Sequence, residues 1–171
     1  MLNLEQIIKF FNLKPLPLEG GLYRQTYKSD EVITKSALPA RYSSDRVFGV
    51  AIYYLLTSDS DSFSALHCLL TEEIWHFYLG DPVEMLLLYP EGRSRIIKLG
   101  QDVLNGQHVQ FVVPRYVWQG ARLITGGCFA FMGTTMAPGY DYKDVTFGKS
   151  DQLIKHYPDQ ATIIKCLTRD E

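Results

Sequence analysis

From Ser62 to Met136 the chain never runs far without a turn signal. Thr71-Glu72, Gly80-Asp81-Pro82, Pro90-Glu91-Gly92, Asn105-Gly106 and Gly126-Gly127 interrupt it at short intervals. These breaks supply residues that permit positive φ or preset a turn, and the runs between them favour strands. Many short strands with no helix between them can bury their apolar faces only against one another. The pattern therefore predicts an all-β fold, an antiparallel barrel or double-sheet jelly roll. "LYRQTYKS" from Leu22 and "RVFGVAIYYLLT" from Arg46 extend the strand signal upstream.

The two ends read differently. Asn3 with Gln6 makes a capping box, and Leu4, Ile7, Ile8 and Phe11 recur at helical spacing before Pro15 and Pro17 stop the ladder. After Ser150, "SDQLIKHY" is helical up to Pro158, and Ile163, Ile164 and Leu167 predict a last short helix. The chain has 171 residues, 46% of them hydrophobic, enough for one sizeable core. The expectation is a single domain over 1–171, with its β core at about 20–147 and a helical tail at 150–168.

A net charge of -2 with interspersed signs offers no basic face for a phosphate backbone, which argues against nucleic acid as a partner. The start "MLNLEQIIKFF" has no signal-peptide pattern, and no apolar stretch approaches the roughly 18 residues that span a bilayer, so no membrane partner is expected. Cys68, Cys128 and Cys166 are odd in number and far apart, which fits reduced thiols and a cytoplasmic location.

"ALHCLLTEEIWHFYLG" (65–80) sets ionisable groups in an apolar run, where something must offset their burial. Side chains alternate along a strand, so Glu73, Trp75, Phe77 and Leu79 should share one face, with His76 on the other. Likewise Phe63, Ala65, His67 and Leu69 should share a face. His67 then points inward with Glu73, and His76 lies on an outer face or a dimer contact.

The spacing of this stretch resembles the first motif of the cupin superfamily, G-x5-H-x-H-x3,4-E-x6-G. His67, Glu73 and Gly80 occupy the first histidine, the glutamate and the closing glycine, while Leu69 stands at the second histidine and Asp61 at the first glycine. The second motif, G-x5-P-x-G-x2-H-x3-N, is similar to "HVQFVVPRYVWQGARL". Pro114 matches, with Gln119 in the place of the histidine. "LEGGLYRQTY", "EIWHFYLGDPVEMLLL", "VPRYVWQGARL" and "MAPGYDYKD" resemble, in order, the blocks of the fifth catalogued cupin family, over roughly residues 4 to 168. That resemblance implies a double-stranded β-helix related in fold to dTDP-sugar epimerases, a barrel pocket, and pairing as a homodimer. The apolar strand "VAIYYLL" offers a face for such pairing.

A metal-binding cupin uses three imidazoles and a carboxylate; the matching positions here leave His67, Glu73 and Gln119 as candidate ligands of a divalent transition metal. The same His67 and Glu73 form an acid–base pair suited to proton transfer near neutral pH. Gln119 can orient a polar ligand edge, Trp75 or Trp118 can supply a stacking wall, and Arg24 or His76 can contact polar groups. Tyr140 and Tyr142 either close one mouth of the barrel or pack on the surface. Gly20 and Gly21 read as a tight turn. Three readings stay open: a small-molecule-binding protein acting as a sugar- or nucleotide-directed isomerase or epimerase, a metal-dependent dioxygenase or decarboxylase, and a non-catalytic sensor or scaffold.

Overall fold

Asn3 caps the first helix as its spacing predicts. Its side chain accepts from the Glu5 amide at 3.0 Å, and the Gln6 side chain accepts from the Asn3 amide at 3.3 Å. The computed structural model describes residues 3–169. In chain order the first half contains helix α1 (Leu4–Phe11) and strands β1 (Lys14–Pro15), β2 (Leu22–Lys28), β3 (Val32–Ile33), β4 (Arg46–Val47), β5 (Val50–Thr57) and β6 (Phe63–Leu69). Then follow β7 (Glu73–Gly80), β8 (Val83–Leu88), β9 (Ser94–Leu99), β10 (Gln110–Val113), β11 (Trp118–Leu123), β12 (Phe129–Met136) and β13 (Val145–Phe147). Helices α2 (Ser150–His156) and α3 (Ala161–Cys166) complete the order.

Two antiparallel sheets face each other, one in the order β1-β2-β5-β12-β7-β10 and the other β13-β6-β11-β8-β9. This is the all-β jelly roll with short terminal helices that the turn spacing predicts. Tyr54, Leu56, Trp75, Phe77, Met85, Leu87, Ala121 and Met132 fill the space between the sheets. Strand β8 reads "VEMLLL" with little alternation because both its faces are covered. Val83, Met85 and Leu87 face the interior, while Leu86 and Leu88 pack under Leu153, Ile163, Ile164 and Leu167 of the C-terminal segment.

The outer face of β5 is covered too. Leu55 is fully buried against Ile7, Leu13 and Phe131, and Tyr53 packs on Phe11 with ring centroids 4.9 Å apart. Helix α1 thus shields Tyr53 and Leu55, outward-facing residues of "VAIYYLL". A homodimer does not follow from that strand.

Two β-bulges change which side chains face inward. In β6, Gln119 pairs with His67 but Ala121 pairs with Ser64, so β6 carries an extra residue. Phe63 turns out to pack beside the C-terminal helices, and Ser64 becomes fully buried, donating its hydroxyl inward. In β7, Met132 pairs with Phe77 and Phe131 with Leu79. Leu79 therefore joins the outer cluster under α1, not the inner face that strict alternation assigns it.

The long connection before β5 is pinned by a buried ion pair. Arg46 donates to Asp144 through Nε at 2.7 Å and Nη2 at 2.5 Å, and both side chains are about 1% exposed. Remaining guanidinium protons reach Ser44 and the Asp45 carbonyl.

Candidate functional site

His67 and Glu73 come from opposite sheets and meet inside the barrel. The imidazole is 2% exposed, and its Nε2 lies 3.8 Å from Glu73 Oε2. Nδ1 is 2.8 Å from the Ala65 carbonyl, to which it donates, so Nε2 is the nitrogen left for chemistry. Glu73 is held in turn: Gln119 Nε2 donates to its Oε2 at 2.7 Å, and the Trp75 indole donates to Gln119 Oε1 at 2.8 Å. Only this orientation of the amide works, because the reverse would set its NH2 against the indole N–H and its oxygen against the carboxylate. Trp75, Gln119 and Glu73 thus stitch the two sheets together behind the imidazole.

Removing the indole donor tests that stitch. Trp75→Phe keeps most of the ring volume but leaves the buried Gln119 oxygen without its donor, a loss expected to cost about 1–3 kcal/mol in urea unfolding. An unchanged midpoint would show that the stitch carries nothing.

The cavity in front of the pair has a volume of about 280 Å³, just under the roughly 300–1,000 Å³ that small-ligand pockets span. Leu16, Ile52, Leu69 and Met136 form apolar walls, and Gln25, Thr134 and Tyr140 bring polar groups. Among the described residues neither Lys nor Arg lines it. Tyr140, 43% exposed, stands at its edge, whereas Tyr142, 63% exposed, does not line it.

One acidic lining residue has no counterpart among the sequence candidates. Glu19 enters the cavity from the loop between β1 and β2 and accepts from Ser64 Oγ at 2.9 Å. Leu18, Gly20 and Gly21 all have positive φ, at 64°, 95° and 67°, so the loop turns sharply on both sides of Glu19. A Cβ at Gly20 would lie 2.3 Å from Arg169 Nη2 and 2.4 Å from the Phe63 carbonyl. Arg169 closes over this loop, donating to the Asp61 carbonyl at 2.8 Å and lying 4.1 Å from the Phe63 ring centre.

The electrostatics follow from this enclosure. Burial disfavours charge on His67, but the carboxylates of Glu19 and Glu73 and the Ala65 carbonyl outweigh it, and the pKa rises to about 9. Burial raises the Glu19 pKa; His67 opposes that shift and Glu73 adds to it. At neutral pH the imidazole holds its proton.

The other candidates lie elsewhere. Trp118 neighbours Gln119 on β11 and therefore points the opposite way, packing against Leu66, Leu86 and the C-terminal helices. It is no cavity wall. Arg24 alternates with Tyr23 and Gln25 and donates to the Phe11 carbonyl at 3.1 Å on the outside of the sheet. Trp75 lies behind the pair in the core, where its indole serves Gln119 rather than a stacked ligand. His76 is on the outer face, stacked on Tyr78 with Nε2 3.1 Å from Thr135 Oγ1.

The residues do not fit a resident transition metal. Leu69 occupies one ligand position, and the Gln119 oxygen already accepts from Trp75 and turns its NH2 toward Glu73. His67 Nε2 would have to give up a proton it holds tightly. Among the described residues, no three His, Cys, Asp or Glu side chains gather as a metal-holding group.

The family described as Cupin superfamily (DUF985) matches residues 5–148. A protein of Saccharomyces cerevisiae, "Uncharacterized protein YML079W", is 30% identical over 146 residues, covering 81% of this chain and 72% of the yeast protein. Protein SO0799 from Shewanella oneidensis is similar in structure, with a TM-score of 0.86 and 29% identity over 100% of both chains. A hypothetical protein from Leishmania major has a TM-score of 0.85 and 25% identity, covering 99% of this chain and 100% of its own. Among the described residues no helix is long and apolar enough to cross a membrane.

Proposed function

We propose that this chain, which belongs to the DUF985 family of the cupin superfamily, binds a small polar compound in its barrel and moves a proton on it through His67. The observation that carries the reading is the buried His67–Glu73 pair, 3.8 Å apart, at the wall of a cavity large enough for one small ring. A protonated imidazole can polarise or protonate a carbonyl or hydroxyl, and Glu73 keeps it charged and oriented. Isomerisation or epimerisation of a sugar-like compound needs that chemistry and no redox partner.

The lining favours the sugar-like reading over the nucleotide-like one. Among the described residues, a phosphate placed inside would meet two carboxylates and, of cationic groups, His67 alone. Phosphate binding ordinarily draws on Arg, Lys or a helix N-terminus. A hydroxylated ring can instead use Gln25, Thr134, Tyr140 and the carboxylates, with apolar ring faces against Ile52 and Leu69. We also propose self-association through the exposed outer surface beside α1, where Phe10 is 79% exposed over a hollow lined by Ile7, Phe11, Leu79 and Phe131.

Ligand-dependent melting tests the binding reading. Free monosaccharides are expected to stabilise the protein, by about 2.7 kcal/mol for one present at 100 times its Kd. Their phosphates should do so less. Val145→Phe, which narrows the cavity, should remove the effect. Where a sugar is turned over, His67→Ala should abolish turnover and weaken binding only modestly. Binding with undiminished turnover in that variant would end the acid–base reading; binding with no turnover in the wild type would leave a sensor.

A further inference from the structure

The geometry points to Glu19 as a third working residue of the chamber, the carboxyl that faces the bound compound and exchanges a proton with His67, while Glu73 holds the imidazole in place. This inference rests on the proton-transfer reading above and deepens it.

Three observations support it. First, the chain accepts a conformational cost to put this side chain there. Leu18, a bulky residue, sits at φ 64°, and two glycines follow Glu19 with positive φ. Such backbone is costly for an ordinary side chain and persists only where the surroundings over-determine it. Second, the β6 bulge turns Ser64 inward, and its hydroxyl donates to one Glu19 oxygen at 2.9 Å. Among the described residues that is the carboxyl's one hydrogen bond, so its second oxygen is left to the cavity. Third, Glu73 is already committed: its Oε2 takes the Gln119 amide and faces His67 Nε2. Two carboxylates flank one imidazole, one tied from behind and one open to the chamber.

The proton inventory makes the pair useful. Groups facing Glu19 include His67 from β6, Glu73 from β7, the buried Tyr54 from β5, Tyr140 beyond β12, and Arg169 at the rim of the loop. Burial and Glu73 favour the protonated carboxyl, and His67 favours the carboxylate. The enclosure therefore retains one proton between Glu19 and His67. With it on His67, as at neutral pH, the Glu19 carboxylate is the free base: it takes a proton from the compound while His67 Nε2–H gives its own proton to another atom of that compound. The compound has lost one proton and gained one. The chamber is left with neutral imidazole beside a protonated carboxyl, and transfer from Glu19 back to Nε2 restores the starting state without any oxidant or metal.

Nuclear magnetic resonance on the ligand-free chain tests the assignment. In the wild type, the side-chain carbon of Glu19 should titrate above the ordinary glutamate value of about 4.3 and shift again as His67 loses its proton. In Glu19→Gln, the proton affinity of His67 should fall at least tenfold, since a nearby carboxylate is worth about 1–3 pH units. Ser64→Ala should move the Glu19 titration further up while preserving the coupling. A Glu19 that titrates as a solvated acid, independently of His67, overturns the proposal without recourse to any variant, and so does an unchanged His67 in a folded Glu19→Gln. Coupled titration in a protein that turns over nothing would support the pair and sink the reading of function, so the two failures are distinguishable.

Discussion

Replacing Asp144 with alanine is expected to cost about 3–5 kcal/mol of folding stability, seen as a lower urea midpoint. The reason is what is left behind. Arg46 is about 1% exposed and gives two hydrogen bonds to that carboxylate, at 2.7 and 2.5 Å. Without it the guanidinium stays buried with the carbonyls of Ser44 and Asp45, the Ser44 hydroxyl, and Asp141 at 3.9 Å. None of these matches a bidentate carboxylate. The paired substitution Arg46→Met with Asp144→Leu should recover most of the loss, because it removes the uncompensated charge rather than exposing it. Asp144 immediately precedes β13, whose Val145 lines the cavity, so the single variant should also loosen that wall. A cost below about 1 kcal/mol, the range of a surface pair, would show that water reaches Arg46.

Stability should fall as pH rises from 6.5 toward 9, by on the order of 3 kcal/mol from His67 alone. The folded imidazole holds its proton up to about pH 9, whereas in the unfolded chain it lets go near 6.5. Between those values the native state binds more protons than the unfolded one, so raising the pH favours unfolding. The contribution is complete below 6.5 and gone above 9. Glu19 acts in the same direction: its folded pKa is raised, so its contribution is present in acid and lost as pH climbs through that value. Urea unfolding of the wild type and His67→Gln across this window isolates the imidazole. The wild-type curve should slope downward and the variant's should be flatter. Parallel curves would mean that the imidazole is not held charged between the two carboxylates.

Much of the scaffold was legible because turns are local. The breaks at Gly80-Asp81-Pro82, Pro90-Glu91-Gly92 and Gly126-Gly127 fall between β7 and β8, β8 and β9, and β11 and β12. The Asn3–Gln6 capping box opens α1. Alternation correctly set Glu73, Trp75 and Phe77 inward and His76 outward. It failed at Phe63 and Leu79, where each bulge adds one residue and reverses the parity of whatever lies beyond it. No residue pattern announces such an insertion, because the partner strand decides it. Trp118 and Gln119 could have been separated in advance: neighbours on a strand cannot both face the same cavity. Arg24 fell to the same rule, since Tyr23 and Gln25 flank it.

Glu19 was harder to see. It lies in "PLPLEGGLY", a loop with neither helical nor strand period, so no face could be assigned to it. The available signal was an acid between a leucine and two glycines. That is an expensive place to leave an unpaired charge, and its partners are visible only once the sheets are assembled.

The position of Arg169 has a consequence for the birth of the molecule. Its guanidinium rests against Gly20 and holds the Asp61 carbonyl, a contact spanning 108 residues of sequence. On the ribosome, sheet strands can pair as they emerge, but the hook that shapes the entrance acid arrives only after the strands of both sheets. Nascent chains should therefore acquire their barrel before they acquire a finished chamber.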